Sequence, residues 1–288
     1  MKDLLSPKQV ARSLGVSESS LKRWCDKGLL PITRTAGGHR RLPVNAVLAF
    51  IRKAGHEIVC PEELGLPSRV GSGILTLQAA SQALRQSLLS GDEQQSRRII
   101  FDLYLAGRTA FEICDQVIAE SLRGVGDAWE CREAEVFEEH RACEIVSRLL
   151  YELRRILPTI SSDAPLAVGG SIEGDPYRMP TTMVEITLRE AGWNAESYGA
   201  SLPVDTMCAA IEKTRPRLFW LSASSLQSVP EFLTQWSRLF QVAADCGAAT
   251  VVGGKALTPD VRAQMQYAAF CDNLRHLVSF VTSLRPLP

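Results

Sequence analysis

From residue 163 onward the chain alternates apolar runs with helical patterns. "PLAVGGSI", "NAESYGA", "RLFWLSAS", "AATVVGG" and "QYAAFCD" are each followed by a helical or helix-starting stretch. Apolar runs of that length, bounded by Gly, Pro and small polar residues, read as buried strands. Five such β-α units imply a parallel sheet covered by helices on both faces. A sheet of this kind takes ligands outside the carboxyl ends of its strands, where the strand order reverses. The loops expected there are Glu173–Pro180, Ala200–Val204, Ser224–Val229, Gly253–Leu257 and Cys271–Asn273. The first lies in "SIEGDPYRMPTT", which puts an acid, a proline, a tyrosine and an arginine at the lip of a buried strand.

Upstream, residues 75–160 are helical throughout. "ILTLQAASQALRQSLLSG", "DEQQSRRIIFDLYLAG", "TAFEICDQVIAESLRGVGDAWECRE" and "EAEVFEEHRACEIVSRLLYELRRILP" are amphipathic and separated by short breaks. Four such helices with short connections pack as an antiparallel bundle. The Pro/Gly/Ser-rich stretch before them, 61–74, reads as a linker.

Residues 1–60 differ in charge from everything after them. They hold eleven Lys/Arg against four Asp/Glu, a net +7, and the chain totals of 32 and 32 leave 21 against 28, or −7, for the remainder. A small basic module on an acidic body is the distribution expected when one end meets a polyanion. Within it "SPKQVARSLG" begins with a Ser-Pro helix start and stops at Gly15, and "VSESSLKRWCDKGLL" follows with Ser17 or Ser19 as its N-cap. Two short helices joined tightly make a helix-turn-helix. The basic, glycine-containing "PITRTAGGHRRLP" and the amphipathic "VNAVLAFIRKAG" complete the module.

This order resembles the winged-helix DNA-binding domain of MerR-type and excisionase-like regulators. The resemblance implies that Ser19, Ser20, Lys22, Arg23 and Lys27 belong to the recognition helix and Arg34, His39, Arg40 and Arg41 to the wing. Neutralising phosphates with Lys and Arg releases counterions, which is the chemistry such a surface supplies. Trp24 is expected in the core of this module, with base stacking as the alternative.

The fold class expected is therefore multidomain α and α/β. It comprises a winged helix-turn-helix at 1–60, a linker at 61–74, a four-helix bundle at 75–160 and a flavodoxin-like, Rossmann-like parallel sheet at 161–288. That series resembles the cobalamin-dependent MerR-type regulators, the CarH-type photoreceptors among them. In that family a Trp followed ten residues later by Glu-His caps the upper face of the corrin, and Trp129 with Glu139 and His140 stands at that spacing here. The alternative is that Trp129 is bundle core and Glu139-His140 an exposed helical pair. The family's D-x-H-x-x-G loop, whose His ligates cobalt from below, aligns with Asp175 to Pro180; Asp175 is kept, but the His is Tyr177, followed by Arg178, and the Gly is Pro180. Ser222, Ser224 and Leu226 in "SASSL" resemble the S-x-L motif, and Gly253-Gly254 the paired glycines that make room for the nucleotide tail. Glu130 follows the capping Trp where light-responsive members carry a second His.

The resemblance implies a transcriptional regulator that binds double-stranded operator DNA as a dimer or tetramer. Its ligand is expected to be cobalamin without a lower His, or another flat tetrapyrrole, haem or bilin. In the haem or bilin case Arg178 would pair with a propionate, and His140 or a cysteine would serve as ligand or attachment point. The competing expectation is a ligand-free regulator that uses the Rossmann-like part for oligomerisation or partner binding. An enzyme is not expected: the four histidines, His39, His56, His140 and His276, are scattered and form no nucleophilic arrangement. Eight cysteines without a C-x-x-C pair signal neither disulfides nor a metal site and read as mostly buried. No apolar stretch is long enough for a membrane span and "MKDLLSPKQVARSLG" is no secretory signal, so the location expected is cytoplasmic.

Overall fold

A computed structural model describes residues 3–68 and 76–284. The chain forms two compact units, 1–159 and 160–288. The expected boundary at 75 and the second part of the expected linker, 69–74, lie outside the described residues.

The first unit begins with β1 (Leu4–Leu5) and α1 (Pro7–Ser13), whose start is a reciprocal capping box between Ser6 and Gln9. α2 (Glu18–Asp26) is capped by the Ser17 hydroxyl, which accepts the Ser20 N–H at 3.1 Å. β2 (Thr33–Arg34) and β3 (Arg40–Pro43) pair antiparallel as the wing, and β1 adds to the other edge of β3. α3 (Val44–Ala54) packs Val47, Leu48 and Ile51 inward and stops at Gly55. The start of the stretch read as a linker is a 3-10 turn, Pro61–Leu64, with Leu64 and Leu66 buried.

Four helical rods follow. α4 (Leu77–Ser90) and α5 (Glu93–Leu105) are capped by Thr76 and Asp92. The third is one continuous rod made of α6 (Ala110–Glu112), a π-helical stretch Ile113–Ala119 and α7 (Glu120–Glu130). α8 (Val136–Ile156) is the longest, with Ala142, Ile145, Val146, Leu149, Leu150, Leu153 and Ile156 facing the core at helical spacing.

The second unit is a five-stranded parallel sheet with the order β5 (Asn194–Ser197), β4 (Leu166–Ser171), β6 (Leu218–Ser222), β7 (Ala249–Gly253), β8 (Ala269–Phe270). The order reverses between β4 and β6, so that boundary is the switch point. Alternate residues feed two cores. Val168, Phe219, Leu221 and Val252 face α10 (Val204–Thr214) and α11 (Val229–Asp245). Ala167, Leu218, Trp220 and Val251 face the side of α9 (Arg178–Glu190) and α13 (Leu274–Ser283). Trp220 packs against Gly169, where a Cβ would stand 2.3 Å from its ring, and its indole N–H donates to Thr181 Oγ1 at 2.9 Å. A short α12 (Pro259–Arg262) precedes β8. α9 starts at Arg178, so the loop expected to run to Pro180 ends three residues earlier, at Tyr177.

Candidate functional site

On α2, Ser19, Lys22 and Arg23 are exposed, and Lys27 caps the helix end instead of lying within it. Ser20 is half-buried and engaged, with Arg23 donating to its hydroxyl at 3.2 Å. In the wing the Thr35 to His39 turn closes through Thr35 N–H to the His39 carbonyl at 3.0 Å, with Gly38 in the left-handed region at φ 77°. Arg34 and Arg40 are direct cross-strand partners. Like charges so placed cost stability, and Asp26 at the end of α2 offsets this by pairing with Arg40 at 3.2 Å. Arg40 thus bridges helix and wing, Arg41 donates to the Arg40 carbonyl, and Arg34 and His39 stay exposed. Trp24, expected in the core, is half-buried and packs with Phe50 and His56, all three ring pairs at 5.1 Å.

At the far end of the bundle, Trp129 is on the last turn of α7 and is 47% exposed. A turn with Arg132 at φ 61° leads into α8. Glu139 is half-buried and accepts the Cys143 thiol at 3.3 Å, and its other oxygen lies 3.8 Å from His140 Nε2. Burial, and then the adjacent Glu139 carboxylate, push the Cys143 thiol up to about 12, so this cysteine is a poor nucleophile for covalent attachment. The His140 side chain is 75% exposed. The sequence reading missed Val136 and Phe137, exposed by 53% and 63%, which extend the apolar end of the bundle. Their signal was an apolar pair set among acids at a helix start. Of the cysteines, Cys114 and Cys208 are buried, Cys131 is exposed and the other five are intermediate, less buried than expected.

At the carboxyl edge of the sheet, Asp175 is fully buried. Its Oδ1 accepts the Tyr177 N–H at 3.1 Å and its Oδ2 the Ser224 N–H at 2.7 Å. Ser171, which the sequence reading passed over, donates to the Asp175 carbonyl and accepts the Ser201 N–H. Tyr177 is 47% exposed, and Lys255, also missed although it directly follows Gly253-Gly254, sets its ammonium 5.6 Å from the ring centroid. Arg178 is exposed at the first position of α9. Ser222 ends β6 and is buried, whereas Leu226 packs on the core. Gly254 has φ 116°, and a Cβ there would stand 2.2 Å from the Ala223 carbonyl oxygen; at Gly253 it would stand 2.9 Å from that of Cys271. The chain's own backbone therefore accounts for both glycines.

Among the described residues no cluster of His, Cys, Asp and Glu is arranged to hold a metal ion, and no helix is long and apolar enough to cross a membrane.

Residues 4–55 match the family described as a helix-turn-helix domain, and residues 80–154 match the B12 binding domain. The HTH-type transcriptional repressor CarH of Myxococcus xanthus is 25% identical over 263 residues, covering 85% of this chain and 87% of that protein. The monomethylamine corrinoid protein of Methanosarcina barkeri superposes with a TM-score of 0.60 at 17% identity, covering 73% of this chain and all of the other, a likeness of fold. The chain joins a helix-turn-helix domain to a B12 binding domain and is a homologue of the CarH transcriptional repressor.

Proposed function

We propose that this protein is a DNA-binding transcriptional regulator, not an enzyme, that senses a flat tetrapyrrole-type ligand and answers by changing its oligomeric state. The observation that carries the reading is a pairing within one unit. Exposed cations sit on α2 and the wing, and an exposed apolar end carrying Trp129, Glu139 and His140 lies in the stretch that matches the B12 binding domain. Lys22, Arg23, Lys27 and Arg34 bind phosphates, and Ser19 and Ser20 lie on the same helix for base edges. A dimer or tetramer would present two such helices to a near-palindromic operator. No membrane partner enters the proposal.

For the ligand, the two halves of the family's constellation separate. Trp129 supplies a flat apolar surface, and Glu139 and His140 supply hydrogen-bonding groups. The loop after β4 does not fit a corrin held by a protein imidazole, because Tyr177 stands in place of the His and both Asp175 oxygens already accept backbone N–H groups. The ligands proposed are accordingly cobalamin without that bond, haem or bilin, with Tyr177, Arg178, Ser222, Ser224, Leu226, Gly253 and Gly254 as candidate contacts of the sheet edge. Glu130 removes the second His expected in light-responsive members, so a light response by that exchange is not part of the proposal.

Absorbance spectra of the protein purified after supplementation with each tetrapyrrole test the ligand. Size-exclusion in dark and light tests the oligomer response. A protein that takes up none of them favours the second reading, a ligand-free regulator whose sheet unit serves as an oligomerisation or partner platform. The closure of the loops after β4, β6 and β7 on one another through Asp175, Lys255 and Gly254 favours that reading.

A further inference from the structure

Within the first unit α3, the helix behind the DNA-facing elements, is clamped to the bundle at both ends. At its first turn Asn45 Nδ2 donates to the Leu157 carbonyl at 3.2 Å and to Thr159 Oγ1 at 3.1 Å, just past the end of α8. At its last turn Arg52 donates to the Arg108 carbonyl at 2.9 Å and lays its guanidinium 3.8 Å from the ring centre of Tyr104 on α5. Val47, Leu48 and Ile51 are buried between the two clamps. Two further ties join the same bodies, Asp3 with Arg155 of α8 and Arg97 of α5 with the Gly65 carbonyl at 2.7 Å. Lys22, Arg23, Lys27, Arg34 and His39 stay exposed, so the seat leaves the DNA-facing surface open.

The other partner in the seat is α8. Its 21 residues contain neither Gly nor Pro, and at 1.5 Å per residue it is a rod of about 30 Å. Glu139 and His140 lie near one end and the Leu157 carbonyl closes the other. A displacement at the first end arrives at the second.

We propose that Asn45 and Arg52 are positioning residues that fix the orientation of the DNA-binding module on the bundle, and that α8 carries displacement of its Glu139–His140 end to the module through them. The transmission rests on the ligand-sensing reading above, whereas the seat stands on its contacts alone.

The test compares the full-length protein with Asn45→Ala/Arg52→Ala, using a half-site selected from random duplex DNA. Binding to one isolated half-site is expected to stay within about twofold, because no phosphate-binding residue changes. Discrimination among paired half-sites stepped one base pair at a time is expected to fall about tenfold, and amides of residues 44–55 to exchange about tenfold faster. Unchanged exchange together with an unchanged spacing profile overturns the seat. With hydroxocobalamin or haemin as the probe, the wild-type protein is expected to change exchange in residues 44–55 on binding and the double variant is not. Binding without that change overturns the transmission. If neither probe binds, the ligand reading and the transmission fail together, and exchange and spacing still decide the seat.

Discussion

The Asp175 carboxylate accepts the Ser224 N–H at 2.7 Å, so one fully buried side chain joins the loop after β4 to the loop after β6 across the switch point. Asp175→Asn keeps the shape but turns one acceptor oxygen into an amide donor facing a backbone N–H. The expected loss is about 1–3 kcal/mol, measured as a lower urea midpoint, with or without any tetrapyrrole present.

Gly254→Ala is expected to be more damaging than most surface changes. Its backbone is left-handed and the new methyl would meet the Ala223 carbonyl at 2.2 Å, a cost of roughly 2 kcal/mol or more. Thermal unfolding of the ligand-free protein checks it. A well-tolerated alanine would mean that the glycine serves something other than the fold.

Arg34→Ala separates binding from stability. Loss of a phosphate contact is expected to weaken operator binding and lower the slope of log affinity against log salt by about 0.9. Removal of the like charge opposite Arg40 is expected to leave the melting temperature unchanged or slightly higher. Fluorescence anisotropy across a salt series and a melting curve read the two effects on one preparation.

The Cys143 thiol, held at about 12, makes the fold sensitive to alkali. Above the ordinary value of 9.0 the unfolded thiol loses its proton while the folded one keeps it. The unfolded state then binds fewer protons, and stability falls as pH rises from there through the folded value. Wild type is expected to lose more stability than Cys143→Ala between neutral pH and pH ~10. Iodoacetamide at mildly alkaline pH is expected to label exposed Cys131 well before Cys143, a difference that peptide mass spectrometry resolves.

Trp129→Ala is expected to leave stability nearly unchanged, since the side chain is 47% exposed, and to abolish tetrapyrrole uptake. Titration of both proteins with hydroxocobalamin and haemin decides; equal uptake would remove Trp129 from the site.

The parts readable in advance were those with a short-range cause. Ser6-Pro7, Ser17 and Gly15 mark helix ends because caps act within a turn, and the apolar runs of the sheet are buried on both faces and so announce themselves. The Tyr177–Lys255 contact joins residues 78 positions apart, and nothing local in either predicts it. The same holds for Asn45 meeting Leu157 and Thr159. Composition misled at Pro61–Leu66, where Pro and Gly suggest a linker, yet Leu64 and Leu66 are buried and Arg97 holds the Gly65 carbonyl. Val136 and Phe137 were passed over because a helix start with acids on both sides reads as solvated.

The π-helical stretch Ile113–Ala119 sets the aim of a tryptophan ten residues beyond it. A π turn winds more slowly than an α turn, so everything downstream is rotated relative to the phase an unbroken α-helix would hold. Forcing α winding on the same residues, with none removed, would swing the rest of the rod by about 100° around its axis. Ala128, now inward, and Trp129, now outward, would no longer keep their sides. The outward tryptophan is thus a matter of phase, decided by a widened turn in the middle of the rod.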